Sequence, residues 1–251
     1  MNNGTNQESA SSASIAVLTI DVSTSFAMYL AKHLTPDQLK YWQSHKKEGH
    51  LILRKAFQIP DDPYLDMRLD WQAFHKKRYG WDVDFSQVFI PLRPSLAHRL
   101  IIVAKGLMAD MVYRARSFKK WKNPSYGESF SVSVPTNIRT SAHGHYVIWV
   151  LDGVEPDVEF LGKSTSDADP EMKIGMTFTE RLLLEDKYFD ETGKHLDLVG
   201  GTFCGGSRDA DGCVPFVRLV GDGLVGVGWR GLGSADPRYG VRRAGSGPLS
   251  T

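Results

Sequence analysis

The stretch from Val214 to Arg230 constrains this chain more than any other. "VPFVRLV" and "LVGVGWR" each alternate with period two, and the "GDG" between them is a hairpin turn signal. Successive side chains of a strand point to opposite faces of its sheet. One face of the expected ribbon therefore carries Val217, Leu219, Val225, Val227 and Trp229, an ordinary core set. The reverse carries Phe216, Arg218, Val220, Gly226, Gly228 and Arg230, which obey no rule of size or polarity, as an outward face free of packing would. Gly231 and the loop "LGSADPRYG", with Asp236, Arg238 and Tyr239, continue the same character.

Composition sets this stretch apart. Val214 to Ala244 holds no Lys, Glu, Gln, Met, Ile, His, Asn or Thr, although Lys and Glu are scattered through everything before it. Tyr, Arg, Ser, Gly and Asp are the residues of adaptable contact surfaces, because aromatics supply area at low entropic cost and small polar groups adjust. The plainer alternative is a glycine-rich antiparallel sheet of chance composition.

Upstream, "MNNGTNQESASSAS" (residues 1–14) reads as a disordered tail without the basic start of a signal peptide, and the longest apolar runs, "RLIIVA" and "HYVIWVL", are too short to span a bilayer. No membrane insertion and a cytoplasmic location are expected. Lys+Arg at 30 against Asp+Glu at 29 leaves a net charge of +1, so no overall field favours nucleic acid.

Residues 15–140 read as an α/β region. "SIAVLTIDVS" suits a strand, Ser23 is placed to cap a helix after it, and Thr35 to cap another that ends at Gly49. "HLILRKAFQIP" suits a further strand, and Asp70 caps a helix closed by Gly80. "HRLIIVAKGL" reads as a strand followed by a helix over "MADMVYRARSFKKW", with Met108, Met111, Val112 and Ala115 in one stripe. "HYVIWVLD" is the next buried strand, and "LGKSTSDADPEMKIG" a loop. The clearest helix starts at Thr177, where "TFTE" is a capping box, and stops at Gly193, with Leu182, Leu183, Tyr188 and Phe189 as its apolar face.

Together "HYVIWVLDGVEPD", "TFTERLLLEDKYFDETGKHLD", "TFCGGSRDADGCVP" and "RYGVRRA" resemble an uncharacterised bacterial family with no implied enzyme activity, over most of residues 70–244. The C-terminal stretch resembles the variable region of proteins diversified by diversity-generating retroelements, which have C-type-lectin-like folds. "GKHLD", "CGGS" and "GVR" resemble that fold's helix exit, turn and closing strand, whereas Leu219 stands where a Trp is expected. The resemblance implies an α+β protein: an N-terminal α/β region followed, over 141–251, by a C-type-lectin-like domain with a short antiparallel sheet. It also implies recognition of a protein or other macromolecular ligand, without cofactor, metal or catalytic residue. Retroelement diversification acts on codons that must still end in C or T, which cannot encode Lys, Glu, Gln, Met or Trp. The diversified, ligand-binding positions expected by place are Asp209, Asp211, Cys213, Phe216, Arg218, Val220, Gly226, Gly228, Arg230, Gly231, Asp236, Arg238 and Tyr239.

Other chemistry weighs less. "HGH" at 143–145 offers two imidazoles but no third ligand and reads as a solvent-facing pair; "DADG" at 209–212 lacks the remaining oxygens of a calcium loop and reads as a turn. Cys204 and Cys213 read as two free thiols, with one bridge as the alternative. A rival enzyme reading would make Cys204 a nucleophile with a base such as His195, but no spacing joins them; a structural domain is the second rival. Glu155, Asp157 and Glu159 read as a solvated loop, and the Lys and Trp of "FKKWKNPSY" as a cationic helix end rather than a nucleic-acid contact.

Overall fold

The computed structural model describes residues 34–45, 62–95, 98–116 and 118–245, with positions 48 and 52. The chain divides into two compact units, Met1–Asp62 and Pro63–Thr251. In the first, helix α1 (Pro36–Ser44) starts as its sequence dictates. Thr35 Oγ1 accepts from the Gln38 N–H at 3.3 Å, and the Gln38 side chain accepts in return from the Thr35 N–H at 2.9 Å. The helix ends at Ser44 with His45 as C-cap, short of the expected stop at Gly49. The strand expected over 14–23 and the helix capped by Ser23 lie outside the described residues. So does the strand expected over 50–60, apart from position 52, which is helical.

The second unit is a mixture of helices and sheets. Helix α2 (Leu65–Tyr79) begins at Tyr64, six residues before the expected cap, and the Tyr64 side chain makes no capping bond but accepts through its hydroxyl from the Arg93 N–H at 3.1 Å. Asp70 lies inside this helix, where its carboxylate holds Lys187 Nζ at 2.6 Å. The far end is as expected, with Gly80 left-handed at φ 71°. Strand β1 (His98–Val103) is followed by α3 (Ala109–Ala115), which ends well before the expected Trp121. Lys120–Lys122 is instead strand β2, so the cationic helix end expected there does not exist. Next come α4 (Phe130–Ser133), β3 (Thr136–Asn137), β4 (Tyr146–Leu151) and a short α5 (Thr165–Ala168) inside the expected loop. Helix α6 (Phe178–Thr192) has the anticipated capping box, Thr177 with Glu180, and ends at Gly193 with φ 67°. Strands β5 (Gly201–Phe203), β6 (Ser207–Arg208), β7 (Val214–Val220), β8 (Leu224–Arg230), β9 (Tyr239–Val241) and β10 (Ala244–Gly245) complete the unit.

Among the described residues three sheets result: β1-β4-β10, β2-β8-β7-β5-β9 and the pair β3-β6. Both partners of the central β4 are antiparallel to it, with Ile101 opposite Ile148 and Ala244 opposite Val150. The α/β arrangement expected around β1 is therefore corrected to an antiparallel one. Strands from either side of residue 141 share both large sheets.

Helix α6 packs on α3, on β1 and on β7. Its sequence looks amphipathic, yet Glu180 through Lys187 are all buried. A helix enclosed on every side must pair its charges. Arg181 accordingly donates to Glu185 (2.9 Å) and Asp197 (2.7 Å), while Arg242 donates to Asp197 (2.7 Å), Thr202 Oγ1 (3.0 Å) and the Gly153 and Val154 carbonyls. Arg139 clasps Glu180 at 2.7 and 2.8 Å. This polar layer runs through a core that includes Phe178, Leu182, Leu183, Ile148 and Trp149. Among the described residues, no helix is long and apolar enough to cross a membrane.

Candidate functional site

The β7–β8 hairpin forms in the register its alternation predicts, with Phe216 opposite Gly228, Val217 opposite Val227 and Arg218 opposite Gly226. Val217, Val225 and Val227 are buried in the main core, with Leu219 and Trp229 packed at its margin. The other side of the sheet carries Phe216, Arg218 and Val220 on β7 and Arg230 on β8; Arg218 and Arg230 are exposed, the other two half-buried.

Cross-strand pairing assembles one continuous row on that outer side. Trp121 on β2 lies beside Gly226, which faces Arg218; Arg218 faces Gly201, and Gly201 lies beside Tyr239. The glycines in and next to this row are covered by neighbouring rings and branches. A Cβ on Gly201 would sit 2.6 Å from the Tyr239 ring, and one on Gly228 would sit 2.8 Å from Phe216 Cζ. On Gly226 it would lie 3.0 Å from Val220 Cγ2 and 3.7 Å from Trp121 Cε3. Bare backbone thus forms the floor on which the larger side chains lie. Tyr239 is only 3% exposed, edge-on to Phe216 at 5.5 Å, and its hydroxyl accepts from Arg218 Nη1 at 3.1 Å. At one end of this same side, Phe203, Val214, Val241 and Tyr239 join Phe160 and Ala168 in a second small core against which Phe216 packs, so that part of the outer side is covered.

The thirteen expected positions are therefore not one uniform surface. Phe216, Arg218, Val220 and Arg230 share the outer side of the hairpin. Gly226, Gly228 and Tyr239 are also there but buried, and Gly231, Asp236 and Arg238 sit on the adjoining loop. Asp236 Oδ1 accepts from the backbone N–H of Arg238 at 3.0 Å, so its carboxylate shapes the loop. Asp209, Asp211 and Cys213 lie elsewhere. Asp209 is 9% exposed, and its Oδ1 accepts from the N–H groups of Asp211 (3.0 Å) and Cys213 (2.7 Å), making the turn expected of "DADG". That turn joins Tyr126, Val132, Ser133 and Trp229 around a shallow groove of about 320 Å³.

Sequence reasoning missed Trp121, which is 45% exposed and extends the row from outside the Val214–Ala244 stretch. The only signal was the Lys-Trp-Lys alternation, too short to tell strand from helix end. Its flanking lysines face the other way: Lys120 Nζ donates to the Tyr113 and Arg114 carbonyls, and Lys122 Nζ to those of Gly127 and Glu128.

The remaining candidates take structural places. Both cysteines are free thiols, as expected. Cys204 is fully enclosed, and burial pushes its thiol up, the opposite of an activated nucleophile. His195 pairs with Glu185 at 3.0 Å instead. His143 is exposed, but His145 departs from the expected solvent-facing pair: its Nδ1 accepts from the Lys105 N–H at 2.9 Å, and its ring meets Phe85 edge-on. Asp157 and Glu155 are corrected from solvated groups to loop anchors, accepting from the N–H of Arg243 (2.8 Å) and of Val199 (3.0 Å) and Gly200 (3.2 Å). Among the described residues, no three His, Cys, Asp or Glu side chains are grouped to hold a metal ion. In comparisons with known proteins, the chain matches no family, no curated protein and no solved structure.

Proposed function

We propose that this is a recognition protein that binds a macromolecular ligand through the outer side of its five-stranded sheet, on a C-type-lectin-like scaffold diversified by a retroelement. The observation that carries the reading is the division of labour within one hairpin. Val217, Val225 and Val227 are locked in the core, while Arg218 and Arg230 on the reverse are exposed. Replacing an exposed side chain costs the fold little, within about 0.5 kcal/mol, so such positions are free to change. Aromatic and arginine side chains are also those that dominate binding energies at interfaces.

The geometry adds a rule to this freedom. Phe216 covers Gly228, so a larger residue at 228 requires a smaller one at 216. Sequencing the locus across related isolates tests the reading. The expected outcome is variation at 216, 218, 220 and 230, invariance at Val217, Val225 and Val227, covariation of 216 with 228, and an adenine-richer near-copy close by. Variation spread equally over inward and outward positions would refute it.

A further inference from the structure

Resting on that reading, we propose the chemistry of the partner: an acidic, extended protein segment, with Trp121 as its fixed apolar anchor and Arg218 and Arg230 as receivers of its carboxylates. Trp121 and Val220 flank Gly226 from its two neighbouring strands and leave a flat apolar floor between them. The Trp121 indole N–H has no acceptor among the described residues, and the ring is 45% exposed.

Arg218 lies two strands from Trp121, about 10 Å away at the usual strand spacing. Among the described residues its guanidinium makes one bond, to the Tyr239 hydroxyl, and neither it nor Arg230 has a carboxylate within ion-pair distance, although Arg230, with Arg238, helps hold the Asp236 carboxyl below its ordinary range. Asp236, the acid of the adjoining loop, is engaged by the Arg238 backbone N–H at 3.0 Å and its Nε at 3.3 Å. Among the described residues the sheet thus presents two guanidiniums with no carboxylate in direct contact, beside an aromatic anchor. A neutral or basic partner covering them would strand desolvated cations, a penalty that a carboxylate removes.

A separation near 10 Å corresponds to about two to four residues of extended chain. The partner should therefore carry an apolar side chain and an acid at that interval. A nucleic acid fits less well, because its closely spaced phosphates call for a track of cations. Arg238 on the adjoining loop is engaged with Asp236, and Lys120 and Lys122 are committed to carbonyls on the opposite side.

Selection of a displayed random-peptide library on the full chain tests this. Enriched peptides should pair Asp or Glu with an aromatic or aliphatic residue at that interval and bind more weakly as salt rises. The best of them should lose roughly tenfold in affinity in the Arg218→Gln/Arg230→Gln protein and in Trp121→Ala. Unchanged thermal unfolding of both variants would show that the fold is intact. Neutral or basic peptides that lose binding with Phe216→Ser but ignore Trp121→Ala would overturn the acidic assignment and leave recognition by this sheet standing. Failure to enrich any peptide sensitive to a substitution on the outer side would overturn both. A single-stranded oligonucleotide bound with the same dependence on Trp121 and Arg218 would transfer the site to nucleic acid.

Discussion

Replacing Asp197 by Ala should destabilise the folded unit more than any exposed change. Asp197 is fully buried; one oxygen accepts from Arg242 at 2.7 Å, and the other from Arg181 and the Thr202 hydroxyl, each at 2.7 Å. Burial pushes this carboxyl up, but the Arg181 and Arg242 guanidiniums outweigh it and hold the group below the ordinary carboxylate range. Removing the acid leaves two buried cations short of a partner, at a cost of about 3–5 kcal/mol. Asp197 also sits at φ 54°, where Ala is disfavoured by a further ~1–2 kcal/mol.

Asp197→Asn separates the two causes, because Asn tolerates the left-handed backbone and removes only the charge. For a unit of this size, about 3–5 kcal/mol corresponds to a fall in Tm of about 6–20 °C. Urea and thermal unfolding read both variants. A double-mutant cycle of Asp197→Ala with Arg242→Met should show coupling above about 1 kcal/mol. A fall of less than about 2 °C in Asp197→Asn, together with additive effects in the cycle, would refute the claim that this ion layer holds helix α6 to the sheet.

Two further outcomes follow from buried titratable groups. His75 is enclosed among Trp71, Phe74, Tyr79 and Phe85, and burial lowers its pKa to about 4, with Nε2 held at 3.2 Å from the Ile102 carbonyl. A depressed histidine favours the folded state above its unfolded pKa near 6.5, and that stability is lost as pH falls toward 4, by about 3 kcal/mol. Urea unfolding of His75→Phe should lack this decline, and an unchanged pH profile would contradict the assignment. Alkylation of the native protein followed by mass mapping should label Cys213 and spare Cys204, since the first is partly exposed and the second enclosed; equal labelling would show that Cys204 is reached.

Local order was legible from the sequence wherever it depends on residues a few positions apart. The capping boxes at Thr35 and Thr177, the left-handed stops at Gly80 and Gly193 and the register of the Val214–Arg230 hairpin all involve such near neighbours. Asp70 failed as a cap because it can equally sit within a helix once Lys187, far along the chain, supplies its partner. The candidate surface was half legible. Alternation named Phe216, Arg218, Val220 and Arg230, but nothing in the order of residues shows that Tyr239 folds over Gly201 or that Trp121 joins from another strand.

What the chain determined alone is where its helices begin and end and which side chains alternate along each strand, because those depend on hydrogen bonds and steric fit over a few residues. The tertiary structure alone decided that α6 lies enclosed by α3 and strands of two sheets, so that its acids and arginines become a paired layer, and that β2 aligns with β8 and sets Trp121 beside Gly226. Both outcomes come from desolvation between segments remote in sequence: charges taken out of water must find partners, and a strand edge must find another strand, wherever the fold brings them together.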